Sequence, residues 1–292
     1  MQAITPIVVA TDFSASAGRA VRRAALIAQQ LGAEMHLLHV VSPLDLYPGP
    51  DPAADFRLNH EQALQAAGKS RIDILAAKLR KDFAIPVVAA TRIGRAHTEI
   101  AGYAAAKAAG LVVAGARGEN TLLDLLMGST ASRLLRLAAC PVLIVKNAKA
   151  KPYQSAIAAV DFSPGSSHVL ELARAVASAA RIEVLHVYDT DHDDRMRQAG
   201  MDEAYLLGRQ AHILKDAENR LDIELAGLNE ENITRHVMAA YPAAAICERA
   251  RILRAGLIVL GRHGKSGVQE LLLGSVSKDV ASAADCDVLL CY

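Results

Sequence analysis

The chain of 292 residues contains no tryptophan, and its aromatic residues make up only 4% of the sequence. Proteins that bind single-stranded nucleic acid stack bases on aromatic side chains, so this composition argues against that class. The charge is also balanced, with 32 Lys and Arg against 31 Asp and Glu and a formal net charge of +1. A large phosphate-binding surface needs clustered basic residues. The composition therefore predicts no nucleic-acid partner.

Long apolar runs and targeting segments are missing as well. No apolar stretch reaches the roughly 18 residues needed to span a bilayer. Residues 1–7 show neither the basic nor the apolar region of a secretory signal. None of the four cysteines, at positions 140, 247, 286 and 291, belongs to a C-x2-C pair. These features predict a reduced cytoplasmic protein without a membrane partner.

Several familiar catalytic and cofactor motifs are absent. Gly264-Lys265-Ser266 is not a P-loop, because the glycine required five positions before Gly264 is replaced by Val259. No G-x-G-x-x-G fingerprint follows the first apolar run. The sequence also lacks a G-x-S-x-G nucleophile elbow and a His/Cys set with zinc spacing. No catalytic residue is assigned.

What the chain does contain is one unusual spacing, G-x2-G-x9-G-S, that occurs twice. The two copies, 146 residues apart, are Gly115, Gly118, Gly128 and Ser129, and then Gly261, Gly264, Gly274 and Ser275. The first glycine of each copy ends an apolar run. A strand that ends at glycine and leads to a helix N-terminus exposes backbone N–H groups that can hold an anion. The spacing predicts two phosphate sites; the alternative is that these glycines only form turns and close helix–strand contacts.

The two halves align over nearly their whole length. Residues 7–14 match residues 156–163, and 140–145 match 286–291. The polar segment between the halves ends at Pro152, which is typical of a linker. We therefore predict two domains, residues 1–147 and residues 152–292.

Within the first half, apolar runs alternate with amphipathic stretches. Ser14 and Gly32 are typical of the start and end of a helix over 15–31. Predicted strands cover 5–11, 35–41, 86–92, 111–115 and 142–146, and the remaining predicted helices cover about 55–82, 96–109 and 129–139. The second half repeats this order.

Apolar strands separated by helices indicate a parallel sheet that is covered on both faces. The predicted fold class is α/β, with two tandem doubly wound domains that are Rossmann-like and five-stranded. Ligands of such sheets bind beyond the carboxyl ends of the strands. Asp12, Gly115 and their counterparts Asp161 and Gly261 all fall at such ends.

The polar residues near these strand ends allow more than one interpretation. Asp12 and Asp161 either contact the ligand or cap the next helix. His39 and His186 lie in apolar strands and are predicted to be structural, hydrogen-bonded histidines. The acidic stretch 189–194 is predicted to be a solvated loop before a helix, with a cation site as the alternative. The basic residues close to the glycines either neutralise phosphate or are solvated charges: Arg117, Arg133, Arg262, His263, Lys265 and Lys278.

The glycine motifs, the strand-end aspartates and the Leu-His-Val strands resemble the universal stress protein family, in its tandem form. In that family the glycine motif marks members that bind ATP. The resemblance implies that Asp12 and Asp161 contact ribose or base and that Val40 and Val187 contact adenine. It implies phosphate contacts in each half from Gly115, Arg117, Gly118, Gly128, Ser129 and Thr130, and from Gly261, His263, Gly264, Gly274, Ser275, Val276 and Ser277.

The resemblance also implies ATP, ADP or AMP as the ligand, accompanied by a divalent cation such as Mg²⁺ whose protein ligands are left open. The family's last strand often pairs across a dimer interface. This implies a pseudo-dimer within the chain, through 142–146 and 288–291, and leaves a further homodimer open.

Some positions depart from the family pattern. Gly110 and Gly256 replace the usual acidic residue before the fourth strand, and Asp287 replaces the usual proline before the last. The second half retains a hydroxyl at Ser277, where the first half has Ala131. These differences predict unequal sites, with the fuller phosphate cradle in the second half.

Three functions remain in competition. The first is an adenine-nucleotide-binding protein of regulation or stress response. The second is an enzyme that hydrolyses ATP slowly, because no arginine finger or water-positioning residue is identifiable. The third is a scaffold with vestigial sites.

Overall fold

The computed structural model describes residues 4–43, 54–117, 127–226, 231–264 and 273–291. Its contacts divide the chain into two units, Met1–Lys151 and Pro152–Cys291. Each unit contains five parallel strands and is described by itself. The domain limits 1–147 and 152–292 stay a prediction.

The first unit alternates strands and helices in the predicted order. Its elements are β1 (Ile7–Ala10), α1 (Ala15–Leu31), β2 (Met35–Val41), α2 (Ala54–Phe83), β3 (Val87–Ile93), α3 (Ala96–Ala106), β4 (Leu111–Gly115), α4 (Ser129–Leu137) and β5 (Val142–Val145). Helix α1 has the predicted bounds because of local signals at both ends. The Ser14 hydroxyl accepts a hydrogen bond from the Ala17 N–H at 3.1 Å, and Gly32 takes a left-handed φ of 62° that ends the helix.

The second unit repeats this alternation and adds a short helix after its second strand. Its elements are β6 (Ser155–Ala159), α5 (Ser166–Val176), β7 (Arg181–Asp189), α6 (Asp191–Gln198), α7 (Glu203–Leu225), β8 (Ile233–Ala240), α8 (Pro242–Ile252), β9 (Leu257–Gly261), α9 (Ser275–Ala283) and β10 (Asp287–Cys291).

Helix α6 corrects the prediction of a solvated loop over 189–194. The Asp189 carboxylate accepts a hydrogen bond from the Asp191 N–H at 3.0 Å, next to the start of the helix. Acidic residues in the first turn, Asp193 and Asp194 among them, also favour the positive end of the helix dipole. Asp193 is buried rather than solvated.

Each unit contains a doubly wound parallel sheet, as predicted. The strand orders are β3-β2-β1-β4-β5 in the first unit and β10-β9-β6-β7-β8 in the second. The strand pairs within each unit are parallel. The central strands β1 and β6 are almost wholly buried, because helices cover both faces. The strand order reverses beside these strands, between β1 and β4 and between β6 and β9, which opens a crevice at their carboxyl ends.

Two departures from the family pattern in the second unit, Gly256 and Asp287, both contact the side chain of Tyr153. The Tyr153 hydroxyl donates to the carboxylate of Asp287 at 2.8 Å, and both residues are buried. The Tyr153 ring also covers Gly256, where an added β-carbon would lie 3.1 Å from ring atom Cδ1. The ring therefore occupies the space of a side chain at position 256 and supplies a donor to the buried acid.

The Tyr153→Phe variant is expected to lower the free energy of unfolding by about 1–2 kcal/mol, because a buried carboxylate loses a hydrogen-bond donor. Urea denaturation measures this change. Tyr205→Phe serves as the control, since Tyr205 is exposed. Equal midpoints for Tyr153→Phe and the wild-type chain would show that Asp287 is satisfied without Tyr153.

Candidate functional site

A cleft of about 480 Å³ opens at the carboxyl ends of β6, β7 and β9 in the second unit. Small-molecule sites commonly have volumes of about 300–1,000 Å³. All of the second-half residues predicted to bind ligand line this cleft: Asp161, Val187, Gly261, His263, Gly264, Gly274, Ser275, Val276 and Ser277. Residues as far apart in the sequence as Asp161 and Ser277 therefore share one crevice. Their contacts with a ligand stay a prediction.

The floor at one end of the cleft is the N-terminus of α9. This helix starts at Ser275, and its N-cap, Gly274, has no side chain that could satisfy the first-turn N–H groups. The Gly274 N–H itself donates to the carbonyl oxygen of Arg262 at 3.0 Å. The N-terminal amides and the helix dipole together favour an anion at this point.

Two glycines keep the walls of this end close together. A β-carbon on Gly264 would lie 3.1 Å from Oδ2 of Asp161, and one on Gly274 would lie 3.2 Å from the carbonyl oxygen of Arg262. Both contacts are tighter than ordinary van der Waals packing. At both positions the motif supplies glycine, which leaves room for this close packing. A larger side chain there would push the β9 loop away from α9 and from Asp161.

Asp161 closes the turn before α5 and also faces the cleft; its contact with a ligand stays a prediction. Its Oδ1 accepts hydrogen bonds from the Ser163 N–H at 3.0 Å and from the Ser166 hydroxyl at 3.4 Å, which close the turn before α5. The same carboxylate lines the cleft, with Oδ2 towards Gly264. The turn thus holds a negative charge in the middle of the cleft, where it can accept hydrogen bonds from hydroxyl or amino groups.

His263 and Ser277 flank the anion end in different ways. Nε2 of His263 is buried and has no hydrogen-bond partner within the part of the chain that the structure describes. Such a nitrogen calls for a ligand or water. The Ser277 hydroxyl donates to the carbonyl oxygen of Gly261 at 2.7 Å. This hydrogen bond links α9 to β9 and engages the hydroxyl proton. The backbone N–H of Ser277, rather than its hydroxyl, is therefore the donor that could bind an anion.

A three-layer stack supports the aspartate turn in each unit. In the second unit the Phe162 ring contacts His186, with ring centroids 4.4 Å apart and ring planes tilted by 41°, and the Arg220 guanidinium lies 4.2 Å from the centroid of the Phe162 ring. Phe162 has a left-handed φ of 60°, which is strained for a bulky residue. These contacts support Phe162 in this conformation, directly after Asp161.

The histidines of these stacks are hydrogen-bonded, as predicted. Nδ1 of His186 lies 2.9 Å from the carbonyl oxygen of Val160, and Nδ1 of His39 lies 2.8 Å from that of Thr11. His186 is buried and His39 is half-buried. Phe13 and Arg71 complete the stack of the first unit.

The first unit places its predicted residues at matching positions. Asp12 follows β1 and accepts a hydrogen bond from the Ser14 N–H at 2.9 Å, and Val40 lies half-buried in β2. Gly128 precedes α4, whose first turn contains Ser129 and Thr130, and the Gly128 N–H donates to the Ala116 carbonyl at 2.8 Å. Gly118 and Lys265 lie outside the described residues.

Ser16 distinguishes the first unit from the second. A β-carbon on Gly115 would lie 2.7 Å from the Ser16 hydroxyl oxygen, and this oxygen accepts a hydrogen bond from the Arg117 N–H at 3.4 Å. Gly165 is the counterpart of Ser16 in the second unit and lines the cleft. Burial lowers the pKa of His97 in α3, and the positive charges of Arg133 in α4 and of Arg95 lower it further.

Sequence reasoning missed part of the wall opposite the glycine loop. Tyr188, Pro242 and Ile246 line the cleft there. Tyr188 is the second-last residue of β7, and Pro242 is the first residue of α8, shortly after the third strand of the second half. For Tyr188 and Pro242, the position near the carboxyl end of a strand was the signal that could have identified them, whereas Ile246 lies within α8.

The fold and the site together define a doubly wound α/β protein with a cleft beside a helix N-terminus at a topological switch point. The model of the universal stress protein family matches residues 3–146 and 152–291. The chain therefore belongs to the universal stress protein family, with two such domains in tandem.

Relatives and solved structures agree with this assignment. A universal stress protein of Mycolicibacterium smegmatis is 31% identical, over 97% of this chain and 96% of its own length. One from Mycobacterium tuberculosis H37Rv is 29% identical, over 97% and 95%. A crystal structure from Archaeoglobus fulgidus superposes with a TM-score of 0.72 at 18% identity, over 100% of this chain and 99% of the other, and shows the shared fold. In the described part of this chain, no helix combines the length and apolar character needed to cross a membrane.

Proposed function

We propose that this protein binds an adenine nucleotide (ATP, ADP or AMP) in the cleft of the second unit and at the equivalent position of the first, as a regulatory protein of the stress response. The observation that carries this proposal is the convergence of three features in one cleft. These are the α9 N-terminus with its glycine N-cap, the close-packed glycine loop, and the carboxylate of Asp161.

The order of strands supports a nucleotide in one orientation. Across the carboxyl edge of the sheet, β9 and its glycine loop come first, then β6 with Asp161, then β7 with Val187. An anionic group fits the β9 end, because the α9 amides and His263 are there. A ribose fits beside Asp161, which can accept hydrogen bonds from its hydroxyl groups. The less polar end, beside Val187 and Ile246, suits a purine base.

The cation would enter with the nucleotide. Among the described residues, no group of three or more His, Cys, Asp or Glu side chains is arranged to hold a metal ion. Mg²⁺ commonly binds through phosphates, water and one or two carboxylates. Among the described residues that line this cleft, Asp161 places a carboxylate oxygen beside the glycine loop, with Oδ2 towards Gly264.

We favour regulation over catalysis because the Ser277 hydroxyl and one oxygen of Asp161 are already engaged in hydrogen bonds within the protein. Oδ1 of Asp161 is engaged in the turn before α5, and the Ser277 hydroxyl is engaged with Gly261. The Ser277 hydroxyl is therefore not held ready as a nucleophile, although Asp161 keeps Oδ2 towards the cleft. A single-turnover assay with labelled ATP tests the alternative of slow hydrolysis. Turnover that Asp161→Ala abolishes without loss of binding would favour the enzyme.

Saturating nucleotide is expected to stabilise the chain. At ten times Kd, ATP should add about 1.4 kcal/mol to the free energy of unfolding, because it binds the folded state alone. Differential scanning fluorimetry with ATP, ADP and AMP measures the shift, with ribose 5-phosphate as a control that lacks the base. An unchanged melting temperature with all three nucleotides would contradict the proposal and favour the scaffold with vestigial sites.

A further inference from the structure

Helix α6 is held in place by charge rather than by apolar packing. Its eight residues, Asp191–Gln198, include one large apolar side chain, Met196. Burial of apolar area therefore contributes little to its position. Yet Asp193 in its first turn is only 3% exposed. A buried carboxylate on such a polar helix requires specific partners.

Those partners join α6 to the end of β7. The Tyr188 hydroxyl donates to Oδ1 of Asp193 at 3.0 Å. Arg209 of α7 donates to the same carboxylate oxygen, and also to the Tyr188 hydroxyl at 2.7 Å. The three side chains form a closed set of hydrogen bonds that fixes the direction of the Tyr188 ring. Burial raises the pKa of Tyr188, which keeps its hydroxyl protonated as a donor.

A second anchor joins α6 to the end of β8. The Tyr241 hydroxyl donates to Asp194, and Tyr241 directly precedes Pro242, which lines the cleft. Asp194 also pairs with Arg197 in the last turn of α6. The helix is thus tied to both strand ends that form the wall opposite the glycine loop.

The place of Tyr188 in the cleft follows from the strand order. Tyr188 and Asp189 line the cleft at the end of β7. Strand β7 lies on the opposite side of β6 from β9, and β9 leads to the glycine loop. Tyr188 is therefore at the end away from the anion cradle. The corresponding residue of the first unit is Val41, which has no ring.

We infer that Tyr188 determines the affinity of the second cleft for the nucleobase, and that Asp193 and Arg209 are positioning residues that hold its ring. This inference rests on the proposed nucleotide function and names the residue that would contact the base. An aromatic ring offers a flat face to a purine, and a ring fixed in advance loses little entropy on binding. The first unit, with Val41, lacks this device, so the two sites differ in their recognition of the base.

The test compares ATP with inorganic tripolyphosphate, which has the charged chain but no base. Isothermal titration is carried out on the full chain with the variants Tyr188→Val, Tyr188→Phe and Asp193→Asn. Tyr188→Val should weaken ATP binding at one site about tenfold, the scale of a lost base–aromatic contact. Tripolyphosphate binding should not change. Tyr188→Phe keeps the ring but loses both hydrogen bonds that hold it, so its affinity should fall between those of Tyr188→Val and the wild-type chain, and so should that of Asp193→Asn.

The control is Tyr205→Val, the same change at an exposed tyrosine of α7. It should leave both ligands unaffected. Equal ATP affinity in Tyr188→Val and the wild-type chain would overturn the inference while nucleotide binding stands. An equal loss for ATP and tripolyphosphate would also overturn it, because it would show general damage to the cleft. If the wild-type chain binds neither ligand, the proposed function fails and this inference with it.

Discussion

The Gly274→Ala variant is expected to bind adenine nucleotide at the second cleft about 10- to 100-fold more weakly, the loss that follows when a charge-assisted hydrogen bond is removed. The added β-carbon would lie 3.2 Å from the carbonyl oxygen of Arg262. This neighbour is backbone and cannot rotate away. The methyl group would therefore move the β9 loop away from the first turn of α9, so that the two walls no longer reach one phosphate group.

The size of this effect depends on position rather than on alanine itself. Gly208 in α7 has nothing within 4 Å of an added β-carbon. In a helix interior, alanine is favoured over glycine by roughly 0.5–1 kcal/mol. Gly208→Ala should thus stabilise the chain slightly and leave nucleotide affinity unchanged, which makes it the matched control.

Isothermal titration with ATP separates the two variants. The first unit retains its own motif, so Gly274→Ala should weaken one site and leave the other intact. Its melting temperature without ligand reports any loss of stability separately. ATP affinity within twofold of the wild-type value at both sites would rule out the α9 N-terminus as a phosphate cradle.

The Glu183→Ala variant is expected to lower the free energy of unfolding of the second unit by about 3 kcal/mol, because it leaves one member of a buried ion pair without its partner. Nε and Nη2 of Arg249 donate to the two carboxylate oxygens of Glu183 at 2.7 and 2.6 Å. The Glu183 side chain is 9% exposed and that of Arg249 is 25% exposed. Water that reaches Arg249 places the cost at the lower end of the range for buried pairs.

The first unit fills the equivalent positions with a different pair. There, Nδ1 of His36 lies 2.8 Å from the Tyr103 hydroxyl, and both residues are buried. Burial raises the pKa of Tyr103 and so favours its neutral form. In both units this contact joins the second strand to the helix that follows the third strand. A His–Tyr hydrogen bond makes it between β2 and α3, and an ion pair makes it between β7 and α8.

Urea denaturation measures the loss in the free energy of unfolding. Hydrogen exchange of the β7 and α8 amides then assigns this loss to the second unit. Glu183→Leu combined with Arg249→Leu should recover most of the stability, since removing both charges also removes their desolvation cost. If Glu183→Ala shows wild-type exchange rates in β7, the ion pair contributes nothing and the expectation is wrong.

Much of the fold could be predicted because its signals are local. Ser14 and Gly32 bound α1 as expected, since capping depends on neighbouring backbone groups. The ends of β4 and β9 at Gly115 and Gly261 also agree with the prediction. Apolar runs and helical periodicity give the order of elements, and the parallel α/β class follows from that order.

Other features could not be predicted because they join distant residues. The acidic stretch 189–194 has the composition of a solvated loop, but Tyr188 and Arg209 hold Asp193 in a buried position. The role of Ser277 also depends on its neighbour, because Gly261 accepts its proton. Composition alone does not reveal either partner.

The sequence by itself determined the duplication, the element order and the glycine positions at strand ends, because these follow from residue type and spacing along the chain. Only the tertiary structure decided how the glycines act. Folding packs Gly264 against Asp161 and Gly256 against Tyr153. An added β-carbon at either glycine would lie 3.1 Å from its neighbour, so a larger side chain does not fit without a shift. The shape of the cleft depends on such contacts between residues far apart in the chain, and no local pattern encodes them.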